Sequence, residues 1–99
     1  EILKTALDSK GNVLDIIELE MSYKRLIPND DEPSSYINFY IANKGIVMPS
    51  FDDEKADIRA KDIIQSAFPD RKIITINGID ISMGGGNVHC ITQQQPMSL

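Results

Sequence analysis

The sequence is poor in the residue types on which several common classes of protein depend. It has one cysteine and one histidine in 99 residues, so it cannot form an internal disulfide and lacks the ligands of an ordinary structural zinc site. A single free thiol is most simply explained by a cytoplasmic protein. No apolar run approaches the roughly 20 residues of a membrane-spanning helix, and no membrane partner is predicted.

Positive charge is also scarce. The chain has 10 Lys and Arg against 15 Asp and Glu, which gives a net charge of −5 at pH 7. Proteins that bind a nucleic acid backbone need clustered basic residues, whereas the basic pairs Lys24-Arg25 and Arg71-Lys72 are isolated. The composition therefore argues against a nucleic acid partner, and it is compatible with a small cationic substrate.

The first third of the chain carries weak structural signals. Residues 1–9 are typical of the end of a helix, and the sequence Lys-Gly-Asn at 10–12 predicts a turn. The segment 13–21 is rich in Ile and Leu and predicts a strand. Residues 22–35 contain two prolines and many small polar side chains, which is typical of a loop.

A β-hairpin and a helix are predicted next. Aromatic and β-branched residues at 36–42, a glycine-containing turn at 43–45 and the apolar segment 46–48 indicate a hairpin that ends at Pro49. A helix then begins after a capping residue and ends at Pro69. The candidates for the cap are Ser50, Asp52 and Asp53, and the predicted apolar face of the helix comprises Ala56, Ala60, Ile63, Ile64, Ala67 and Phe68.

The remaining segment predicts short strands separated by turns. Residues 72–76 form the first strand, a turn follows at Asn77-Gly78, a second short strand follows the turn, and Val88–Thr92 forms the last strand. The order strand, strand, helix, strand predicts an α+β unit over 35–92. One helix covers only one face of such a sheet, so we expect further protein to pack against the other face.

The segment GGGNVHCITQQQP, residues 84–96, contains the only cysteine, the only histidine and three consecutive glycines. A lone cysteine is most often a small buried hydrophobic residue, and no lysine follows the glycines as a phosphate-binding loop requires. Alternatively, the glycines let the backbone approach a ligand, and Cys90 presents its sulfur to a cleft. Its thiol would then need help to ionise. His89 is not expected to provide it, because neighbours on a strand point to opposite faces.

The same segment resembles the carboxy-terminal catalytic segment of the agmatine deiminases, in the guanidine-modifying (pentein) superfamily. Segments 8–22, 35–53 and 67–78 are similar to other regions of that family, in the same order. The resemblance implies a β/α propeller of five ββαβ blades, of which this chain forms about one to one and a half. Residues 1–99 are then the carboxy-terminal part of a single, incomplete pentein domain, and they pack against the remaining blades.

The resemblance also implies an activity, which is the hydrolysis of agmatine to N-carbamoylputrescine and ammonia, without a metal or cofactor, in polyamine synthesis. Cys90 falls at the position of the nucleophile, which attacks the guanidinium carbon and forms a covalent thiouronium intermediate. Gly84, Gly85 and Gly86 fall where the family backbone lines the substrate pocket. The catalytic histidine and the guanidinium-binding carboxylates of the family lie upstream, and His89 does not occupy that histidine position.

Other interpretations of the sequence remain open. A peptidyl-arginine deiminase of the same superfamily would share the fold and the chemistry, although Gln-Gln-Gln-Pro at 93–96 resembles the agmatine branch. The chain by itself is alternatively an inactive fragment or an interaction module. A homo-oligomer is also compatible with the sequence.

Overall fold

The computed structural model describes residues 2–22 and 34–98. These residues form an α+β unit with one three-stranded sheet in the order β1-β2-β3. Among them, no helix combines the length and the apolar character that crossing a lipid bilayer requires. The elements in chain order are α1 (Ile2–Thr5), β1 (Tyr40–Ile41), β2 (Gly45–Ser50), α2 (Glu54–Ala67), β3 (Lys72–Asn77), α3 (Ile79–Ser82) and the 3₁₀ turn η1 (His89–Ile91).

The predicted hairpin is confirmed, with a shorter first strand than expected. Tyr40 pairs with Val47 in the antiparallel β1–β2 ladder, and the Ala42 amide donates to the Gly45 carbonyl across the turn, at 2.8 Å. The strand predicted over 36–42 is limited to its last part, because the Phe39 amide donates to the Ile37 carbonyl at 2.9 Å and turns the backbone before β1.

Pro49 lies inside β2 and does not end it, contrary to the prediction. The parallel ladder between β2 and β3 runs from the Gly45–Lys72 pair to the Ser50–Asn77 pair, and Pro49 stands opposite Ile76. The Lys44 and Ser50 carbonyls accept the Lys72 and Gly78 amides at the two ends of the β2–β3 ladder, whereas the Gly45 carbonyl accepts the Ala42 amide from the β1 side. Because backbone hydrogen-bonding groups alternate sides along a strand, the amide position of Pro49 faces β1. Because β1 begins only at Tyr40, no strand of the described sheet needs that missing donor.

Helix α2 is capped by Asp53, one of the three predicted candidates, and covers one face of the sheet. The Asp53 carboxylate accepts the Ala56 amide at 3.3 Å, and the helix ends at Ala67, two residues before Pro69. Of the predicted apolar face, three residues are buried, Ile63 and Phe68 are half-buried, and Ala67 is exposed. The buried core comprises Tyr36, Ile46, Met48, Phe51, Ala56, Ala60, Ile64 and Ile73.

The opposite face of the sheet is open, as the single helix predicts. Val47 is half-buried, whereas Ile74 and Ile76 of β3 are 48% and 37% exposed. At the carboxyl end of β2, Pro49 is fully buried, and Gly78, which follows β3, packs against it so closely that a Cβ there would lie 2.7 Å from the Pro49 Cβ. The uncovered part of this face therefore lies along β3, where Ile74 and Ile76 are exposed.

The strand predicted over 13–21 is wrong. Val13 makes an isolated bridge to Leu7, and the residues after it adopt no regular element, with Ile17 58% exposed. A strand needs a neighbouring strand for its backbone hydrogen bonds, and the described sheet offers none here. The segment contacts α2 instead, through Leu19 at the core and an exposed ion pair of Glu20 with Arg59 at 3.1 Å.

The predicted helix end at 1–9 and turn at 10–12 are both found in the structure. Residues Ile2–Thr5 form α1. The Asp8 carboxylate accepts the amides of Lys10 and Asn12, both at 2.8 Å, and Gly11 has a φ of +82°. Most of the loop predicted over 22–35 lies outside the described residues.

Candidate active site

The segment after β3 forms a helical turn, a glycine loop and a second helical turn, where two strands were predicted. Residues Ile79–Ser82 form α3, and His89–Ile91 form η1, so both strand predictions are wrong. The Ile91 and Thr92 amides donate to the carbonyls of Val88 and His89, which closes the turn locally. Since the segment is not a strand, the alternation argument that separated His89 from Cys90 does not apply.

Asn87 anchors the glycine loop to the end of the sheet. Its side chain is 3% exposed, its Nδ2 donates to the Gly78 carbonyl at 3.0 Å, and its Oδ1 accepts the Val88 amide at 3.0 Å. A Cβ on Gly78 would lie 2.7 Å from the Asn87 Oδ1 and from the Pro49 Cβ. This close packing fixes where η1 starts relative to β2 and β3.

Cys90 is exposed, and its sulfur contacts the side chain of Asn38. The Nδ2 of Asn38 donates to Sγ at 3.0 Å, and the Oδ1 of Asn38 accepts the Cys90 amide at 3.3 Å. The backbone carbonyl of Asn38 also accepts the His89 amide, at 3.3 Å. Asn38 therefore holds both the backbone and the side chain of the cysteine.

These hydrogen bonds favour the thiolate. The Asn38 amide group lowers the pKa of the Cys90 thiol below its usual value, and a backbone hydrogen bond from Asn87 acts in the same direction. Partial desolvation opposes both effects. The arrangement thus gives an accessible sulfur whose ionised form is stabilised by neutral donors.

Of the three glycines predicted to line the pocket, the structure brings one against the cysteine. A Cβ on Gly86 would lie 2.6 Å from the Cys90 Sγ and 3.0 Å from its Cβ, and Gly86 has a φ of +84°. Gly85 has a φ of +81° with open space around it, and the nearest neighbour of a Cβ on Gly84 is the Ile81 carbonyl at 3.6 Å. Gly86 is therefore the glycine whose missing side chain makes room for the sulfur.

His89 is exposed beside the cysteine. His89 lines a groove of about 400 Å³ together with Ser35, Ile37 and Asn38. Within residues 2–22 and 34–98, the hydrogen bonds of this residue are made by its backbone and no imidazole–thiol bond is found.

The acidic residues at the start of α2 have structural partners. Asp53 caps the helix and accepts the Ser22 hydroxyl at 2.8 Å. The Asp57 carboxylate accepts the Tyr36 hydroxyl at 2.6 Å and the Phe51 amide at 3.0 Å. In the part of the chain that the structure describes, no group of three or more His, Cys, Asp or Glu residues is arranged to hold a metal ion.

Sequence reasoning missed Asn38 and Asn87, which hold the cysteine segment in place. Asn38 lies 52 residues from Cys90, and no local pattern links the two. Asn87 follows the glycines, where an asparagine signals a turn, but its buried position could not be inferred from that signal.

A sequence model of the Porphyromonas-type peptidyl-arginine deiminases matches residues 1–96. The chain belongs to this family. The membership confirms the resemblance to the guanidine-modifying deiminases that the sequence motifs indicated.

Individual members of the deiminase family support the same assignment. An agmatine deiminase from Ectopseudomonas mendocina (strain ymp) is 56% identical over 62 residues, which is 63% of this chain and 17% of that protein. The solved structure of the agmatine deiminase of Enterococcus faecalis has a TM-score of 0.73 at 32% identity, covering 95% of this chain and 30% of its own. A crystal structure from Porphyromonas gingivalis has a TM-score of 0.86 at 31% identity, covering 95% of this chain and 27% of its own.

The deiminase relatives are much longer than this chain. A curated relative from Legionella pneumophila (strain Paris) is 42% identical over 98 residues, which is 99% of this chain and 28% of that relative. The chain therefore spans about a quarter to a third of the length of the relatives that it matches. Over this part, the described residues share the fold of the deiminases.

Proposed function

We propose that this chain is the carboxy-terminal, nucleophile-bearing segment of an agmatine deiminase, and that Cys90 is the nucleophile. The observation that carries the proposal is the exposed Cys90 sulfur, which accepts a hydrogen bond from the Asn38 amide group at 3.0 Å. Membership of the deiminase family and the names of its agmatine-hydrolysing relatives support the substrate.

The proposed reaction proceeds through a covalent intermediate. The Cys90 thiolate attacks the guanidinium carbon of agmatine and forms a C–S bond. The bond from that carbon to a terminal nitrogen breaks after the nitrogen has received a proton, and ammonia leaves. Water then adds to the thiouronium carbon, the C–S bond breaks with return of the electron pair to sulfur, and N-carbamoylputrescine is released. The positive charge of the substrate further favours the thiolate.

The proton transfers require groups that the described part of the chain does not bring to the sulfur. His89 makes no hydrogen bond to Cys90 there, and Asp53 and Asp57 are held by the cap and core of α2. The resemblance to the family implies that the catalytic histidine and the guanidinium-binding carboxylates come from upstream sequence. We therefore expect this chain to act only as part of a longer polypeptide.

The element order supports the propeller interpretation. Strands β1 and β2, helix α2 and strand β3 follow each other as in a ββαβ blade, and the face of the sheet opposite α2 exposes Ile74 and Ile76. In the proposed assembly, the remaining blades of the same protein cover this face. We further propose that the enzyme is cytoplasmic and serves putrescine and polyamine synthesis. Gly84, Gly85 and Gly86 line its substrate pocket in this proposal.

The second candidate function is deimination of peptidyl-arginine. It is favoured by the description of the matching family, whose members are named as peptidyl-arginine deiminases. Agmatine and an arginine residue share the guanidinium group and its alkyl chain. They differ at the other end, where agmatine carries a free primary amine and peptidyl-arginine continues into backbone amides. Ammonia release from agmatine and from an arginine-containing peptide, measured with the complete gene product that contains this sequence, separates the two candidates through the ratio of kcat/KM.

A warhead comparison tests the proposed site directly. Chloroacetamidine carries a cation that mimics the guanidinium, and chloroacetamide is its neutral counterpart. In the complete gene product, we expect chloroacetamidine to alkylate Cys90 at least about tenfold faster, because the site binds the cation next to the sulfur. The labelled residue is identified by peptide mass spectrometry. Equal rates for the two reagents would instead favour an inactive fragment or an interaction module.

A further inference from the structure

The orientation of the Asn38 side chain follows from its partners. Its Oδ1 lies 3.3 Å from the Cys90 backbone nitrogen, and a backbone N–H can only donate a hydrogen bond, so the atom beside it must be the amide oxygen. The amide nitrogen is thereby turned to the sulfur, 3.0 Å away. A second hydrogen bond, from the His89 amide to the Asn38 carbonyl, ties the backbones of the two segments together.

This geometry makes the sulfur an acceptor. An –NH₂ group has no lone pair to offer, so it stabilises a thiolate more strongly than a thiol. We propose that Asn38 is a positioning residue that orients Cys90 and stabilises its thiolate before substrate arrives. The inference rests on the proposed function, because it assigns a role in the reaction of the nucleophile.

The two halves of the amide group have separable roles. The Oδ1 contact holds the backbone of η1 and is structural, whereas the Nδ2 contact acts on the sulfur. Replacement of Asn38 by aspartate keeps an oxygen at the first position and puts a carboxylate oxygen beside the sulfur at the second. N38D therefore retains the structural contact and reverses the electrostatic one, since a like charge disfavours the thiolate.

The pH dependence of Cys90 alkylation by neutral iodoacetamide tests this inference. The complete gene product is used, and modification of the Cys90 peptide is followed by mass spectrometry. We expect N38D to slow alkylation at pH 7 by about tenfold and to move its midpoint to higher pH, because less of the thiol is ionised. The acidic limb of the kcat/KM profile should move in the same direction. N43D, at the exposed hairpin turn, makes the same change of charge and should keep the wild-type profile.

The outcomes separate this inference from the proposed function. N38D with a wild-type alkylation profile, in a folded protein that hydrolyses agmatine, overturns the role of Asn38 and leaves the proposed function intact. If the N38D profile is shifted and the wild-type gene product does not hydrolyse agmatine, the role of Asn38 in stabilising the thiolate is supported and the proposed function is overturned. If N38D does not fold, the wild-type profile decides, because a midpoint at or above that of free cysteine contradicts the inference.

Discussion

The Cys90 side chain is exposed to solvent, and its sulfur also has two close neighbours in the fold, Asn38 and Gly86. Asn38 supplies a hydrogen-bond donor to it, and Gly86 leaves the space that a side chain would otherwise fill. In the proposed reaction, exposure lets a guanidinium carbon reach the sulfur, and the donor favours the ionised form that attacks. Among the described residues no base contacts the thiol, and the local arrangement favours the thiolate through neutral donors.

Substitution of Gly86 by alanine should displace the sulfur. G86A puts a Cβ 2.6 Å from Sγ and forces a left-handed φ on a residue with a side chain, which alone costs about 1–2 kcal/mol. G85A imposes the same backbone strain, at a φ of +81° and with open space around the Cβ. We expect G86A to lower kcat/KM for agmatine by about a hundredfold relative to G85A, since small displacements of reacting groups are that costly. Similar kcat/KM values for the two variants would show that Gly86 is not spacing the nucleophile.

Cys90 could be singled out from the sequence, and its main contact could not. The motif around it is contiguous and resembles a known catalytic segment, so one stretch of sequence carries the whole signal. The Asn38 side chain contacts the Cys90 sulfur although the two residues are 52 positions apart in the sequence. The backbone turn before β1 places Asn38 there. A contact of this kind is set by tertiary packing and leaves no periodicity or spacing in the sequence.

Helix α2 depends on a hydrogen-bonded cluster at its first turn. The Asp57 carboxylate accepts the Tyr36 hydroxyl and the Phe51 and Asp53 amides, and the ring of Tyr36 packs edge-on against that of Phe51 with centroids 5.1 Å apart. The cluster joins the segment before β1, the end of β2 and the start of α2. It thereby fixes the helix against the strands that precede Cys90.

Removal of the Tyr36 hydroxyl should destabilise this element. At pH 7, Y36F is expected to lower the free energy of unfolding by about 1–3 kcal/mol, because a hydrogen bond to a half-buried carboxylate is lost. Y40F, at a half-buried tyrosine of β1, is the matched control. Urea denaturation of the complete gene product measures both variants, and equal stabilities would contradict a stabilising role for the cluster.

The same tyrosine links stability to alkaline pH. Burial and the hydrogen bond to Asp57 raise the pKa of Tyr36, so the folded state favours the neutral phenol. Its contribution is complete below the ordinary pKa of about 10 and is lost as pH rises through the raised pKa of the folded state. The stability of Y36F should consequently fall less steeply above pH 10 than that of the wild type.

Elements with strong local signals were predicted, and those that depend on partners were not. The Asp53 cap, the apolar face of α2 and the hairpin turn at 43–45 are encoded by residues within a few positions of each other. The apolar segment 13–21 lacks a neighbouring strand and stays irregular. At 88–92, the strand preference of the β-branched residues is outweighed by the burial of Asn87 and Val88, which starts a helical turn instead. In both segments, contacts with the rest of the fold decide the backbone conformation, and the local sequence does not.

The described residues correspond to one part of the longer deiminases that the chain resembles. The chain spans 28% of the curated Legionella relative, carries the candidate nucleophile, and leaves Ile74 and Ile76 uncovered on one face of its sheet. The acid–base groups and guanidinium ligands that the reaction needs are proposed to come from the rest of the protein. We therefore expect the 99-residue chain by itself to release no ammonia from agmatine, whereas the complete gene product does.

Acid quenching during turnover tests the central claim most directly. When the complete gene product is mixed with agmatine and quenched, the account predicts that the peptide containing Cys90 gains the mass of agmatine less ammonia, which is the thiouronium adduct. The adduct and ammonia release should both disappear in C90S, and neither should form with the 99-residue chain alone. Turnover that persists in C90S, or an adduct on any other residue, would contradict the assignment of Cys90 as the nucleophile.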